Sequence, residues 1–236
     1  MEFKKVTILG GGVLGTQIAM QSAYCGKEVT MWLRSKDSIT RTQPKLDRLY
    51  KVYQQMADKM KATGSAEDFC GGLADSYDVF DYDDTTKRIA DAKNHIHLEL
   101  DLAKAVEGAD IVIEAISEDK KLKIEMFKNL AKVLDKNTLL VTNSSSFLPS
   151  KFTKYTPNKK RYLALHFANN IWKQNITEVM RTEDTSDESF DAAVRFSKEI
   201  NMQPNRINKE HAGYILNTLL IPLLSGAMEL VALGSA

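Results

Sequence analysis

Cysteine is scarce in this sequence. Only Cys25 and Cys70 occur among 236 residues, without CxxC spacing or a Cys/His cluster, so a disulfide framework and a structural zinc site are not expected, and a reducing cytoplasm fits. Net charge is lacking as well: 32 Lys and Arg against 31 Asp and Glu leave a formal +1. Nothing in bulk electrostatics draws such a chain to nucleic acid or to a membrane surface. No run approaches the roughly 18 unbroken apolar residues of a membrane span, and MEFKKVTILGGG has no apolar segment followed by a small-residue cleavage site. Repeats and low-complexity tracts are missing too. What is present, 43% apolar residues, can build a core, and the length is more than one simple core needs, which predicts one full domain plus part of another.

Short apolar runs alternate with longer stretches of helical periodicity, the pattern of crossover units around a mainly parallel sheet. Lys5 to Leu9 reads as a strand, Val13 to Tyr24 as a helix stopped by Gly26, and Glu28 to Leu33 as a second strand. From Asp37 to Lys61, Leu46, Leu49, Val52, Tyr53, Met56 and Met60 recur at helical spacing and predict a projecting helix or helical pair. The acidic stretch Ser65 to Asp84 fits a cap, a loop or an excursion equally well. Further strands are expected at His95 to Leu98, Asp110 to Ile116, Thr138 to Thr142, Tyr162 to His166 and Ile176 to Met180. From about Gln203 the composition changes, and a long apolar helix follows, AGYILNTLLIPLLSGAMELVALGSA, interrupted in pattern by Pro222. The expected division is a sheet domain over residues 1–202 and the start of a second, helical domain over 203–236.

The most informative stretch is VTILGGGVLGTQIA, a strand followed by Gly10, Gly12 and Gly15 in GxGxxG spacing and then a helix. Gly10 permits the sharp turn, Gly12 lets a pyrophosphate approach the backbone, and Gly15 lets the helix pack on the strand. The phosphates would meet the helix amino terminus at Val13 and Leu14, where unpaired N–H groups and the helix dipole favour negative charge. A glycine turn can also make a tight junction and bind nothing. Its place near the amino terminus, between strand and helix, favours a dinucleotide.

The end of the second strand bears on which dinucleotide. A site for NAD places a carboxylate there for the ribose hydroxyls, whereas this chain offers Leu33, Arg34, Ser35 and Lys36. A guanidinium takes the 2′-phosphate of NADP in a charge-assisted pair, with Ser35 as a second donor. NADP is therefore the expected cofactor, with NAD and a merely solvated basic loop as the alternatives.

Beyond the glycine turn, DIVIEAISEDKKLKIEMF, TNSSS, LHFANN with TEV following, and HAGYILNTLLIPLLSGAMEL stand in an order that resembles the 3-hydroxyacyl-CoA dehydrogenase family over almost the full length. The resemblance implies a Rossmann-type, doubly wound α/β sheet followed by an all-helical domain that closes the cleft and forms a homodimer. It implies that His166 removes the proton from the 3-hydroxyl of a short acyl-CoA while hydride passes to the nicotinamide, with Glu178, twelve residues on, supporting it. Ser145 and Asn217 would contact the substrate oxygen, and Glu118, Lys123 and Asn169 would lie near the cofactor. Without the resemblance His166 is an ordinary strand-end histidine, Ser145 a loop cap, Asn217 an amide bonded within its helix, and Lys123 one of a solvated face with Lys120 and Lys121.

Three departures limit the transfer. Leu33 and Arg34 replace the family's acidic residue. Ala168 and Asn170 in HFANNIW replace its aromatic and Asn-Pro pattern. The sequence stops at Ala236 where the family continues, so a truncated or partial form is expected. The family also holds CoA with a helical hairpin after the second strand, where Lys45, Lys51, Lys59 and Lys61 are the available cations. Two alternatives to an acyl-CoA enzyme stay open: a dehydrogenase of a free hydroxy acid or sugar acid, with Arg181 holding the carboxylate, and a noncatalytic dinucleotide-binding protein.

Overall fold

The structure is a computed structural model that describes residues 2–235. Strand β1 (Lys5–Leu9), helix α1 (Val13–Tyr24) and strand β2 (Glu28–Trp32) form the opening crossover unit. Helices α2 (Lys36–Thr63) and α3 (Tyr82–Asp91) follow, then β3 (Ile96–Glu99), α4 (Leu102–Val106), β4 (Ile111–Glu114), α5 (Lys120–Leu130) and β5 (Leu139–Thr142). The chain ends through β6 (Tyr162–Phe167), β7 (Ile176–Met180), α6 (Asp187–Glu199), β8 (Gln203–Ile207) and α7 (Leu216–Ala232).

One eight-stranded sheet runs in the order β3-β2-β1-β4-β5-β6-β7-β8. Every pair is parallel except β6 with β7. Helices cover both faces, so IVIE, LLVT and YLALHF in the central strands are buried along their whole lengths and are mostly apolar on both faces rather than alternating, with Glu114, Thr142 and His166 as the buried exceptions. Ile18, Tyr53 and Phe196 belong to the core on one face, Phe127, Leu130 and Phe152 to that on the other. The strand order reverses between β1 and β4, and such a switch point opens a crevice beyond the carboxyl ends of the strands.

Three readings are sharpened. The stretch after β2 is one 28-residue helix, neither a pair nor a projection: Leu46, Leu49, Tyr53 and Met60 are buried along it. It runs through Pro44 because Pro44 and Thr40 are both exposed, so the carbonyl left without an N–H partner faces water. The acidic stretch is an excursion of short turns, pinned where the Gly72 N–H donates to the Trp172 carbonyl at 2.9 Å. A Cβ on Gly72 would come within 2.7 Å of the Trp172 Cα.

The third is an additional strand. QPNRI, the stretch in which the composition changes, forms β8 alongside β7, so the sheet extends past residue 202 to Ile207. As an edge strand β8 is half exposed and accepts Pro204, which leaves it without an apolar signature. Helix α7 is continuous through Pro222, and none of its described residues is buried. No helix among the described residues is long and apolar enough to cross a membrane.

Candidate active site

β1 passes into α1 through Gly10, at φ +115°. A Cβ on Gly10 would stand 2.8 Å from the Ala115 carbonyl oxygen at the end of β4, and one on Gly15 would run into the Gly10 carbonyl. At Gly12 the nearest atom would be 4.0 Å away. The turn is therefore closed against the sheet and open toward the crevice. No side chain caps α1, which leaves the N–H groups of its first turn, at Val13 and Leu14, to meet an anion. Both residues line a cleft of about 760 Å³ with Gly10, Gly12, Arg34, Ala115 and Ser145. These residues fit a dinucleotide pyrophosphate.

At the end of β2, Leu33 is buried and Arg34 is exposed in the cleft lining. Ser35 is not in that lining. Its hydroxyl caps α2, accepting the Ser38 N–H at 3.3 Å. The hydroxyl that lines the cleft is Ser38, to which Arg41 donates at 3.2 Å. The serine expected to help Arg34 starts the helix, and the turn it caps presents Ser38 to the cleft. Lys45 was grouped with possible CoA contacts but donates to the Gly11 carbonyl at 2.8 Å, tying α2 to the glycine turn.

Deeper in the crevice, Glu118 accepts hydrogen bonds from the Ser144 hydroxyl at 2.7 Å and the Ser145 N–H at 2.6 Å, and lies 3.3 Å from the Lys123 ammonium. Burial alone would raise its carboxyl, but the Ser144 hydroxyl, Lys123 and the N–H groups of Ser146 and Ser145 outweigh burial and hold it below the usual glutamate range. Lys123 does not belong to a solvated face. Its side chain is 1% exposed and pairs at 2.7 Å with Glu114, which is fully buried, while Lys120 and Lys121 are exposed. Asn169 is exposed and outside the cleft lining, where Asn143 stands instead, its side-chain oxygen accepting the Phe167 N–H at 3.0 Å.

The antiparallel register of β6 and β7 sets His166 directly opposite Glu178. His166 Nδ1 lies 2.9 Å from Glu178 Oε2, and His166 Nε2 lies 3.2 Å from the Ser145 hydroxyl. Glu178 Oε1 accepts the N–H groups of Ile215 and Leu216, each at 2.8 Å. Burial would raise this carboxyl too. The His166 hydrogen bond and the Leu216 and Ile215 N–H groups outweigh that and hold it low. A carboxylate at Nδ1 fixes the proton there and leaves Nε2 as an acceptor facing Ser145. Asn217 is half buried in the first turn of α7; its N–H bonds to Gly213 and its side chain has no hydrogen-bond partner among the described residues. Arg181 pairs with Asp187 at 2.6 Å and donates to the Thr185 carbonyl.

Ser38, Asn143, Ser144 and Tyr214 were not singled out from the sequence. Asn143 and Ser144 adjoin Ser145 in the same TNSSS motif, Ser38 stands in the first turn of α2, and Tyr214 reaches the site from the segment between β8 and α7.

Because Glu178 and Glu118 have depressed values in the folded protein, each contributes stability above the ordinary glutamate value of about 4.3 and loses it as pH falls through the folded value. The drop in unfolding free energy between pH 7 and pH 3 is expected to shrink in Glu178→Gln, measured by urea denaturation at each pH. A drop as large as in the unaltered chain would show that Glu178 is not held low.

A glycine turn at the switch point of a doubly wound sheet defines a dinucleotide-binding fold. Residues 5–211 match the family described as 3-hydroxyacyl-CoA dehydrogenase, NAD binding domain. The human mitochondrial hydroxyacyl-coenzyme A dehydrogenase is 31% identical over 99% of this chain and 68% of its own. The 3-hydroxybutyryl-CoA dehydrogenase of Clostridioides difficile is 26% identical over 98% of this chain and 73% of its own. A solved structure of a diketoreductase acting on dicarbonyl compounds is 37% identical, with a TM-score of 0.77 over all of this chain and 75% of that one. The chain belongs to the 3-hydroxyacyl-CoA dehydrogenase family.

Proposed function

We propose that the chain moves hydride between NADP(H) and the 3-hydroxy/3-oxo carbon of a short acyl-CoA, with His166 as the acid–base group. The register-paired His166 and Glu178, with Ser145 at the free imidazole nitrogen, carry this reading. Bound nicotinamide supplies the hydride acceptor for oxidation and the donor for reduction. In oxidation His166 Nε2 takes the hydroxyl proton as C3 gives up hydride and the C–O bond becomes a carbonyl. Glu178 holds Nδ1–H and stabilises the imidazolium formed, and the Ser145 hydroxyl donates to the substrate oxygen. Reduction runs these steps backwards. The acyl-CoA substrate follows the names of the relatives, and the homodimer and the reducing cytoplasm belong to the same reading.

The preference for NADP rests on Arg34 in the cleft lining, with Ser38 beside it and Arg41 bonded to that hydroxyl. Hydrogen bonds to a charged group are worth about 1.5–3 kcal/mol. Arg34→Asp is therefore expected to shift the ratio of kcat/KM for NADPH over NADH by about tenfold to a hundredfold toward NADH. An unchanged ratio would make Arg34 surface charge only.

A second substrate reading has an observation of its own. Lys59 pairs with Asp68, Lys61 lies 3.8 Å over the Tyr82 ring and Lys45 holds the Gly11 carbonyl, so among the described residues Lys51 is the one of the four cations available for CoA without such a contact. With the likeness to a diketoreductase, this favours a free 1,3-dicarbonyl. Reduction of 3-oxobutyryl-CoA and of 2,4-pentanedione, each with NADPH and with NADH, separates the readings. Turnover of the ketone alone removes CoA from the substrate, and cofactor binding without turnover of either makes the chain a noncatalytic dinucleotide binder.

A further inference from the structure

Tyr214 sits in the segment joining β8 to α7, and GYILN reads there as the start of an apolar helix. Its backbone is not helical: φ is +54°, in the left-handed region that side chains other than glycine seldom adopt. Such strain persists only where the surroundings hold the residue in place, and it gathers at functional sites. The ring is 2% exposed and stacks on the imidazole of His166, with centroids 4.5 Å apart and 21° between the planes. The hydroxyl donates to the Ser144 carbonyl at 2.7 Å, one residue before Ser145. The next two N–H groups bond to Glu178. Three consecutive residues thus touch the imidazole, the carboxylate behind it and the loop in front of it.

We propose that Tyr214 is a positioning residue for His166, fixing the imidazole plane with its ring and locking the Ser145 loop against that plane with its hydroxyl. The proposal rests on the reading of His166 as the acid–base group. The bonds at Nδ1 and Nε2 both lie at the ring edge, where they resist sliding within the plane but poorly resist tilting out of it. A stacked ring supplies the missing perpendicular restraint, and its electron-rich face attracts the imidazolium as it forms. Burial, with Glu178 and Glu118 nearby, pushes the phenol up, so it stays a donor to Ser144. A side chain that merely filled space would not need a left-handed backbone, since a helical one would carry it into α7.

Tyr214→Phe and Tyr214→Leu test this. The readouts are kcat, KM, the Kd for NADPH, and the tautomer of His166 read from its ring ¹⁵N resonances. A misplacement of a reacting group by about 1 Å costs about a hundredfold. Tyr214→Leu is expected to lose kcat by about thirtyfold to a hundredfold, with KM and Kd within about threefold, while Tyr214→Phe keeps the stack but gives up the hydrogen bond to Ser144 and is expected to lose kcat by only about threefold to tenfold, with KM and Kd within about threefold. The ¹⁵N spectrum should show one Nδ1–H tautomer in the unaltered chain and in Tyr214→Phe, and a mixture in Tyr214→Leu. A Leu variant with unchanged kcat and tautomer, or Phe and Leu variants that lose kcat and NADPH binding alike, would overturn the proposal. The tautomer measurement needs no turnover. If His166 itself proves dispensable, the reading of the base fails while the spectrum still decides whether Tyr214 holds the imidazole.

Discussion

His166→Gln is expected to cut turnover by about a hundredfold to ten-thousandfold, the usual contribution of a positioned acid–base group, and to leave NADPH affinity within about twofold. The two effects separate because the fold separates the groups. The pyrophosphate cradle lies at the junction of β1 with β4, while His166 stands on β6, with β5 between them. Glutamine keeps a hydrogen-bonding amide against Glu178 and Ser145 but cannot accept and return a proton. Steady-state kinetics with saturating cofactor, paired with fluorescence titration of NADPH, would check this. Full turnover would remove His166 as the acid–base group, and lost cofactor binding would show that the substitution disturbs the sheet.

How far the sequence reveals this arrangement depends on whether a residue's role is set by its own strand or by contacts from elsewhere. The glycine turn is local, and β1, α1 and β2 lie where their pattern puts them, within a residue. His166 and Glu178 are legible as a pair only through the family resemblance, which carries the twelve-residue spacing that the antiparallel pairing of β6 and β7 turns into contact. β8 is not, since an edge strand buries one residue of five and reads as a polar linker. Ser35 has a capping role that its motif does not signal, because the first hydroxyl after a strand is also the natural cap of the next helix. Tyr214 stands within a stretch that carries the family resemblance, but nothing in it marks the role of the ring: a left-handed aromatic looks like any apolar residue in a helical pattern. Lys123 is an intermediate case. KKLK reads as a solvated face, yet DIVIE contains a glutamate inside a fully buried strand, and a buried carboxylate calls for a cation.

That pairing carries the largest expected effect on stability. Lys123→Met is expected to destabilise the fold by about 3–5 kcal/mol, because it strands Glu114 as a buried charge. The methionine matches the lysine stem in length, so packing of α5 changes little and the loss reports the charge. Glu114 would keep the Thr142 hydroxyl at 2.7 Å and the Ile116 N–H at 2.9 Å, neutral donors that only partly replace an ammonium. Glu118 suffers less, since its ion pair with Lys123 is longer and it keeps Ser144 and two backbone donors. For a chain of this size the loss corresponds to a fall in Tm of about 6–20 °C. Lys120→Met, on the exposed side of the same helix, should stay within about 0.5 kcal/mol of the unaltered chain. Adding Glu114→Gln to Lys123→Met removes the stranded charge and should recover much of the loss, a coupling that a double-mutant cycle measures directly. Should Lys123→Met prove no more disruptive than Lys120→Met, the ion pair beneath the cleft is solvated in the working protein, and the dry floor it provides for Glu118 and the Ser145 loop does not exist.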